Sequence, residues 1–271
     1  MTTLLHILTL GLYLVVAGTY TGSLASGRSA VPRLGVAVIA AAVLAHTAAL
    51  IAFTTTYREL PLVGLGPSLS AFAFLIGACL LAAALITESR PLGLVLAPII
   101  SLVLIAVLAL GVAPSGEQME FRGVWFAAHV VLAFIGISGM AVAFAASLLY
   151  LLQFRELKHK RFGKVFRFFP SLDMLDTVAY RALLVGFSTF TLALVLGWAW
   201  TVQFKNSLEM ADPKVIWAMF TWIVFAVALA SRSGGAGAER RSARMNLAAF
   251  TVIVLAYVVL RISATRGGVF L

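Results

Sequence analysis

Of the 271 residues only one is cysteine, Cys79. That scarcity excludes disulfide frameworks, Cys-x-x-Cys redox chemistry and thiolate metal sites within the chain. Charge is scarce too: Asp, Glu, Lys and Arg make up 11% of the residues, and only 10 residues are acidic. There is no Gly-rich phosphate loop, no set of carboxylates at metal-ligand spacing and no soluble basic groove. Phosphoryl-transfer, classical hydrolase and nucleic-acid readings therefore find no support. No internal repeat or domain boundary is visible, and the Gly-rich stretch Ser233 to Ala238 reads as a flexible connection.

What the chain has instead is hydrocarbon. Hydrophobic residues make up 62% of it, and the mean hydropathy of +1.05 lies far outside the range of soluble domains. A spanning helix needs about 20 mostly apolar residues to cross about 30 Å of bilayer. Eight such runs occur: Leu4 to Thr21, Leu34 to Phe53, Pro67 to Thr87, Leu92 to Ala113, Gly123 to Leu152, Val178 to Thr201, Lys214 to Ser231 and Met245 to Ser263. They are continuously apolar rather than alternating, which excludes a closed barrel. The expected fold is an all-α polytopic membrane protein of about eight transmembrane helices, a single transmembrane domain over residues 1–271 with almost no soluble part. The first run lacks a basic leader and a cleavage site, so it is expected to remain as a mature span.

The basic residues sort between loops. With the N-terminus outside, 14 of the 20 fall on inner loops and flanks and 6 on the outer side. The positive-inside rule then places both termini outside, on the periplasmic face of a bacterial cytoplasmic (inner) membrane. The longest inner loop, residues 153–177, mixes Phe154, Leu157, Phe162, Val165, Phe166, Phe168 and Phe169 with six basic residues. It reads either as an amphipathic segment on anionic lipid or as a plain positive-inside anchor.

Ionisable groups inside hydrocarbon are costly, which makes each a candidate site, and a neutral imidazole suits metal ligation. His46 stands seven residues before the outer end of the second span, and His129 six after the outer start of the fifth. At a rise of about 1.5 Å per residue both rings are expected roughly 10 and 9 Å below the outer surface. Two imidazoles at one depth on oppositely directed helices suit the axial positions of a haem iron. Small residues surround both, including Ala42, Ala45, Ala49, Ala128 and Gly136, which serves a flat macrocycle or ordinary helix packing. Each histidine alone is equally able to hydrogen-bond a neighbouring helix and bind nothing. His6 is expected at a shallow, solvated position and His159 in the solvated inner loop. All five tryptophans, Trp125, Trp198, Trp200, Trp217 and Trp222, map to the outer half, as an aromatic belt or as contacts to a large aromatic guest. Arg58 and Arg122 end the two spans that carry His46 and His129, where they suit haem propionates or interfacial anchoring.

Several segments carry a resemblance: Ala45-His46-Thr47-Ala48-Ala49-Leu50; Ala128-His129-Val130-Val131-Leu132, running on to Ala146-Ser147-Leu148-Leu149-Tyr150-Leu151-Leu152-Gln153; Pro170 to Asp176 followed by Tyr180-Arg181; Leu196-Gly197-Trp198-Ala199-Trp200; and Asp212-Pro213-Lys214 with Trp217 and Trp222. In order and spacing they resemble the cytochrome c assembly membrane proteins of the CcsA, CcmC and HemX group, closest to the eight-span HemX or YpjD-like branch. That resemblance implies an integral-membrane haem-handling protein with haem b held between His46 and His129; from their positions Arg58, Arg122 and Trp125 are expected as further cofactor contacts. It implies other membrane subunits of a cytochrome c biogenesis or respiratory assembly as partners beside the lipid bilayer, and no nucleic acid. The outer segment Val202 to Ala211 lacks the tryptophans of the assembly members, which points to an accessory, HemX-like role rather than a full haem ligase and leaves enzymatic activity open. The alternatives are a haem or small-molecule permease, or a structural accessory subunit without cofactor.

Overall fold

In lipid every backbone N–H and C=O must find its partner inside its own segment, and continuous apolar runs meet that demand as helices. The computed structural model describes residues 1–27, 33–86, 90–114, 123–160, 163–205, 212–233 and 237–267. Nine α-helices form among them: α1 Thr2–Ala25, α2 Arg33–Tyr57, α3 Leu65–Ile86, α4 Gly93–Leu110, α5 Val124–Lys158, α6 Lys164–Phe168, α7 Leu172–Lys205, α8 Pro213–Ala230 and α9 Ala238–Gly267. A 3-10 turn, Arg90–Leu92, leads into α4. There is no strand among the described residues, and all helices but the five-residue α6 are long and apolar enough to cross a membrane. The chain is a multi-pass membrane protein.

Helix continues where the sequence suggested an inner loop. α5 runs on to Lys158, α6 occupies Lys164–Phe168, and α7 starts at Leu172. The segment Gln153-Phe154-Arg155-Glu156-Leu157-Lys158 is built largely of good helix formers, so the helix outlasts the apolar run that starts it. α8 starts where its cap chemistry dictates. The Asp212 side chain accepts a hydrogen bond from the Lys214 amide at 2.8 Å, and Pro213 opens the first turn, where a missing N–H costs nothing.

The chain divides into two compact units. One comprises residues 1–118 and 149–177, the other residues 119–148 and 178–271. In the first unit α1 packs on α2 and α4, and α3 packs on the same two helices. α6 touches α1, where the Lys164 ammonium donates to the Ala25 carbonyl near the end of that helix. Close approaches hold the four helices together: a Cβ on Gly66 would strike the Gly111 backbone, and one on Gly93 would strike the Tyr20 ring.

α1 is polar inside and apolar outside. Its buried residues are Thr2, His6, Thr9, Tyr13, Val16, Tyr20 and Ser23, spaced alternately by four and three. That spacing keeps one seam of a helix facing its partners. Leu4, Ile7, Leu8, Leu14 and Val15 lie exposed on the remaining surface. Where lipid replaces water, apolar faces gain nothing by meeting one another, so small and polar side chains form the inner contacts.

In the second unit, α5 and α7 run antiparallel with backbones nearly touching. A Cβ on Gly139 would lie 2.7 Å from the Ala182 carbonyl oxygen, and one on Gly136 would lie 2.7 Å from the Phe190 Cβ. α8 packs on α7 through the Phe187–Trp222 and Phe190–Phe225 ring pairs and a 3.0 Å hydrogen bond from the Trp222 indole to Thr191. α9 meets α5 through Phe144–Phe250 and a 3.0 Å bond from the Asn246 amide to Ser147. All five tryptophans belong to this unit. Trp125 lies in the first turn of α5, Trp198 and Trp200 near the end of α7, Trp217 near the start of α8 and Trp222 at its middle.

Candidate functional site

The first unit carries a buried polar cluster. His46 projects from α2 and is fully buried, as is His6 from α1. His6 therefore does not sit in the solvated interface that its place in the sequence suggests. It belongs to the inner polar seam of α1, and burial follows from that seam. Its Nδ1 lies 2.8 Å from the Thr2 carbonyl oxygen and its Nε2 2.9 Å from the Ser70 hydroxyl of α3. The same hydroxyl lies 3.1 Å from His46 Nε2. The His46 ring meets Phe74 and Tyr13 edge-on, with ring centroids 5.6 and 6.1 Å apart. Two polar atoms of this cluster, His46 Nδ1 and the Tyr13 hydroxyl, are buried with no hydrogen-bond partner among the described residues.

The second unit holds His129. It is half-buried on α5, and its Nδ1 lies 2.7 Å from the carbonyl oxygen of Ala193 on α7. A carbonyl only accepts, so Nδ1 carries the proton, and in the neutral ring Nε2 keeps its lone pair. The ring reaches that carbonyl because residue 197 is glycine: a Cβ there would lie 2.6 Å from His129 Cε1 and 2.7 Å from Nδ1. An imidazole with Nδ1–H on a backbone carbonyl and Nε2 bare is oriented and tautomerically fixed for a metal.

The remaining candidates are less enclosed. Arg58 follows the last residue of α2 with φ of 57°; its amide donates to the Thr54 carbonyl at 2.9 Å, and its side chain is exposed. Trp125 is 61% exposed. Arg122 lies outside the described residues. His159 is exposed just beyond the end of α5. His46 and His129 lie in different units, so each is a site component in its own right. Among the described residues no group of three or more His, Cys, Asp or Glu side chains is placed to hold a metal ion.

Ser70, His6, the Ala193 carbonyl and Gly197 join the site only in the structure. A carbonyl partner leaves no trace in a sequence. The polar spacing along α1 was a usable signal, because threonine, histidine and tyrosine recur every three or four residues in an otherwise apolar run.

Residues 5–265 match the family model described as Cytochrome C assembly protein. The chain is also similar to several proteins called cytochrome c biogenesis protein CcsA. That of Chlamydomonas reinhardtii is 32% identical over 108 residues, 40% of this chain and 30% of the relative. That of Guillardia theta is 27% identical over 148 residues, 49% of each chain. That of Prochlorococcus marinus (strain MIT 9303) is 36% identical over 86 residues, 32% of this chain and 27% of the relative. The matches thus span about half or less of these relatives' length.

Proposed function

The chain belongs to the cytochrome c assembly protein family, and from that premise we propose that it handles haem b within the membrane, with His46 and His129 as iron ligands. The role is accessory and HemX-like rather than that of a full haem ligase, in a bacterial inner membrane with both termini outside. The observation that carries the reading is the His129 arrangement, in which the 2.7 Å bond from Nδ1 to the Ala193 carbonyl leaves Nε2 as the electron-pair donor. His46 adds a second bare imidazole nitrogen, Nδ1, buried and unpaired among the described residues. Both donors are neutral nitrogen, which fits an iron porphyrin in kind. When bound, haem supplies a redox-active iron and the group that cytochrome c assembly delivers.

The protein's own contribution is to hold two rings in fixed tautomers and to surround them with hydrocarbon. Arg58, exposed beyond the end of α2, and Arg122 are proposed propionate partners, and Trp125 an aromatic contact at the start of α5. The test is a reduced-minus-oxidised absorption spectrum of protein purified in mild detergent. Wild type is expected to show a haem b signal that a His46→Ala, His129→Ala double variant loses. Absence of haem from wild type, or full retention in the double variant, rejects the reading.

One observation favours a second reading for His46 alone. Its ring is wholly enclosed and its Nε2 is engaged by Ser70, as befits a histidine that holds helices together. Retention of haem in His46→Ala with loss in His129→Ala selects that reading.

A further inference from the structure

The orphaned Nδ1 of His46 is not an accident of packing, because the bonds around it have a direction. The chain begins at the Thr2 carbonyl, which only accepts, so His6 Nδ1 must carry the proton in the 2.8 Å bond between them. A neutral imidazole has one proton, and a charged one is costly inside a membrane-embedded bundle. His6 Nε2 is therefore bare and accepts from the Ser70 hydroxyl at 2.9 Å. That hydroxyl has a single proton and has given it away. Toward His46 Nε2, at 3.1 Å, it acts only as an acceptor. His46 Nε2 must therefore be protonated, and the lone pair of that ring falls on Nδ1, the atom with no partner among the described residues.

We infer that His6 and Ser70 are positioning residues that fix the tautomer of His46, so that the nitrogen it offers a ligand is Nδ1. Three helices take part: α1 supplies Thr2 and His6, α3 supplies Ser70, and α2 supplies His46. Phe74 and Tyr13 hold the ring edge-on and add no competing bond. The first unit thus offers the nitrogen opposite to the one offered by His129, which is protonated at Nδ1 and bare at Nε2. The tautomer chain stands on these bonds alone; only its consequence for haem rests on the proposed function.

Ring nitrogen spectra of the full chain, haem-free, labelled with 15N-histidine and assigned with a His46→Gln variant, read the tautomers directly. Wild type is expected to show opposite forms, Nδ1–H on His6 and Nε2–H on His46. His6→Phe frees the Ser70 proton to turn toward His46 and converts His46 to a two-tautomer mixture. His6→Gln, whose amide still accepts from Ser70 and donates to Thr2, restores the single form. In a parallel haem titration Ser70→Ala weakens binding about 10- to 100-fold, as loss of a bond that orients a metal ligand does. Wild-type His46 in the Nδ1–H form, or a His46 tautomer unmoved by both His6→Phe and Ser70→Ala, overturns the inference. A wild type that binds no haem rejects the proposed function and leaves the tautomer result standing.

Discussion

The His129 arrangement depends on a missing side chain, and Gly197→Ala tests it with a single methyl group. The new Cβ would lie 2.6 Å from His129 Cε1 and 2.7 Å from Nδ1, closer than real Cβ contacts come, so the ring must retreat from α7. Retreat breaks the bond to Ala193, and interhelical polar bonds of this kind contribute about 0.6–2 kcal/mol in membranes. Crowding a packed contact costs about 1–3 kcal/mol more. Alanine in place of glycine inside a helix returns about 1 kcal/mol. The net expectation is a loss of about 0.6–4 kcal/mol. Haem affinity is expected to fall about 10- to 100-fold with the loss of the orienting carbonyl. Gly18→Ala is the control, because a Cβ there meets nothing within 4 Å, and it is expected to be neutral or slightly stabilising. Thermal unfolding in detergent and a haem titration followed at the Soret band read both quantities. If Gly197→Ala matches Gly18→Ala in both, the ring does not depend on the close approach and the reasoning about His129 fails.

Tyr13→Phe removes a buried hydroxyl that has no hydrogen-bond partner among the described residues, and it is expected to raise stability by about 1 kcal/mol; a clear drop in the unfolding midpoint refutes that. For the orientation, Asp212→Cys and Arg240→Cys are placed one at a time in a Cys79→Ser background. A membrane-impermeant maleimide added to spheroplasts is expected to label the first and not the second, and the reverse pattern inverts the proposed topology.

Much of the fold was legible because lipid imposes a simple rule: eight long apolar runs became eight long helices. The ends were less legible: α2 runs four residues past Phe53, through three threonines to Tyr57, and helix formers start α9 at Ala238. Helix ends thus differ from the ends of the apolar runs. The two histidines themselves were visible as ionisable residues in hydrocarbon. Their partners were less so. Ser70 is an ordinary small residue of a membrane helix until two imidazoles meet it, and Gly197 shows its purpose only when the His129 ring lies against it. The burial of His6 follows from the direction it faces on α1 and not from its depth along the helix.

The inward polarity of α1 also bears on how the protein is made. Histidine, threonine and tyrosine occupy the seam of this helix that its neighbours cover. Released singly into the bilayer, that seam would meet acyl chains that offer it no hydrogen bonds. Its polar contacts are complete only when α2, α3 and α4 stand beside it, so the four helices depend on one another for a satisfied interior.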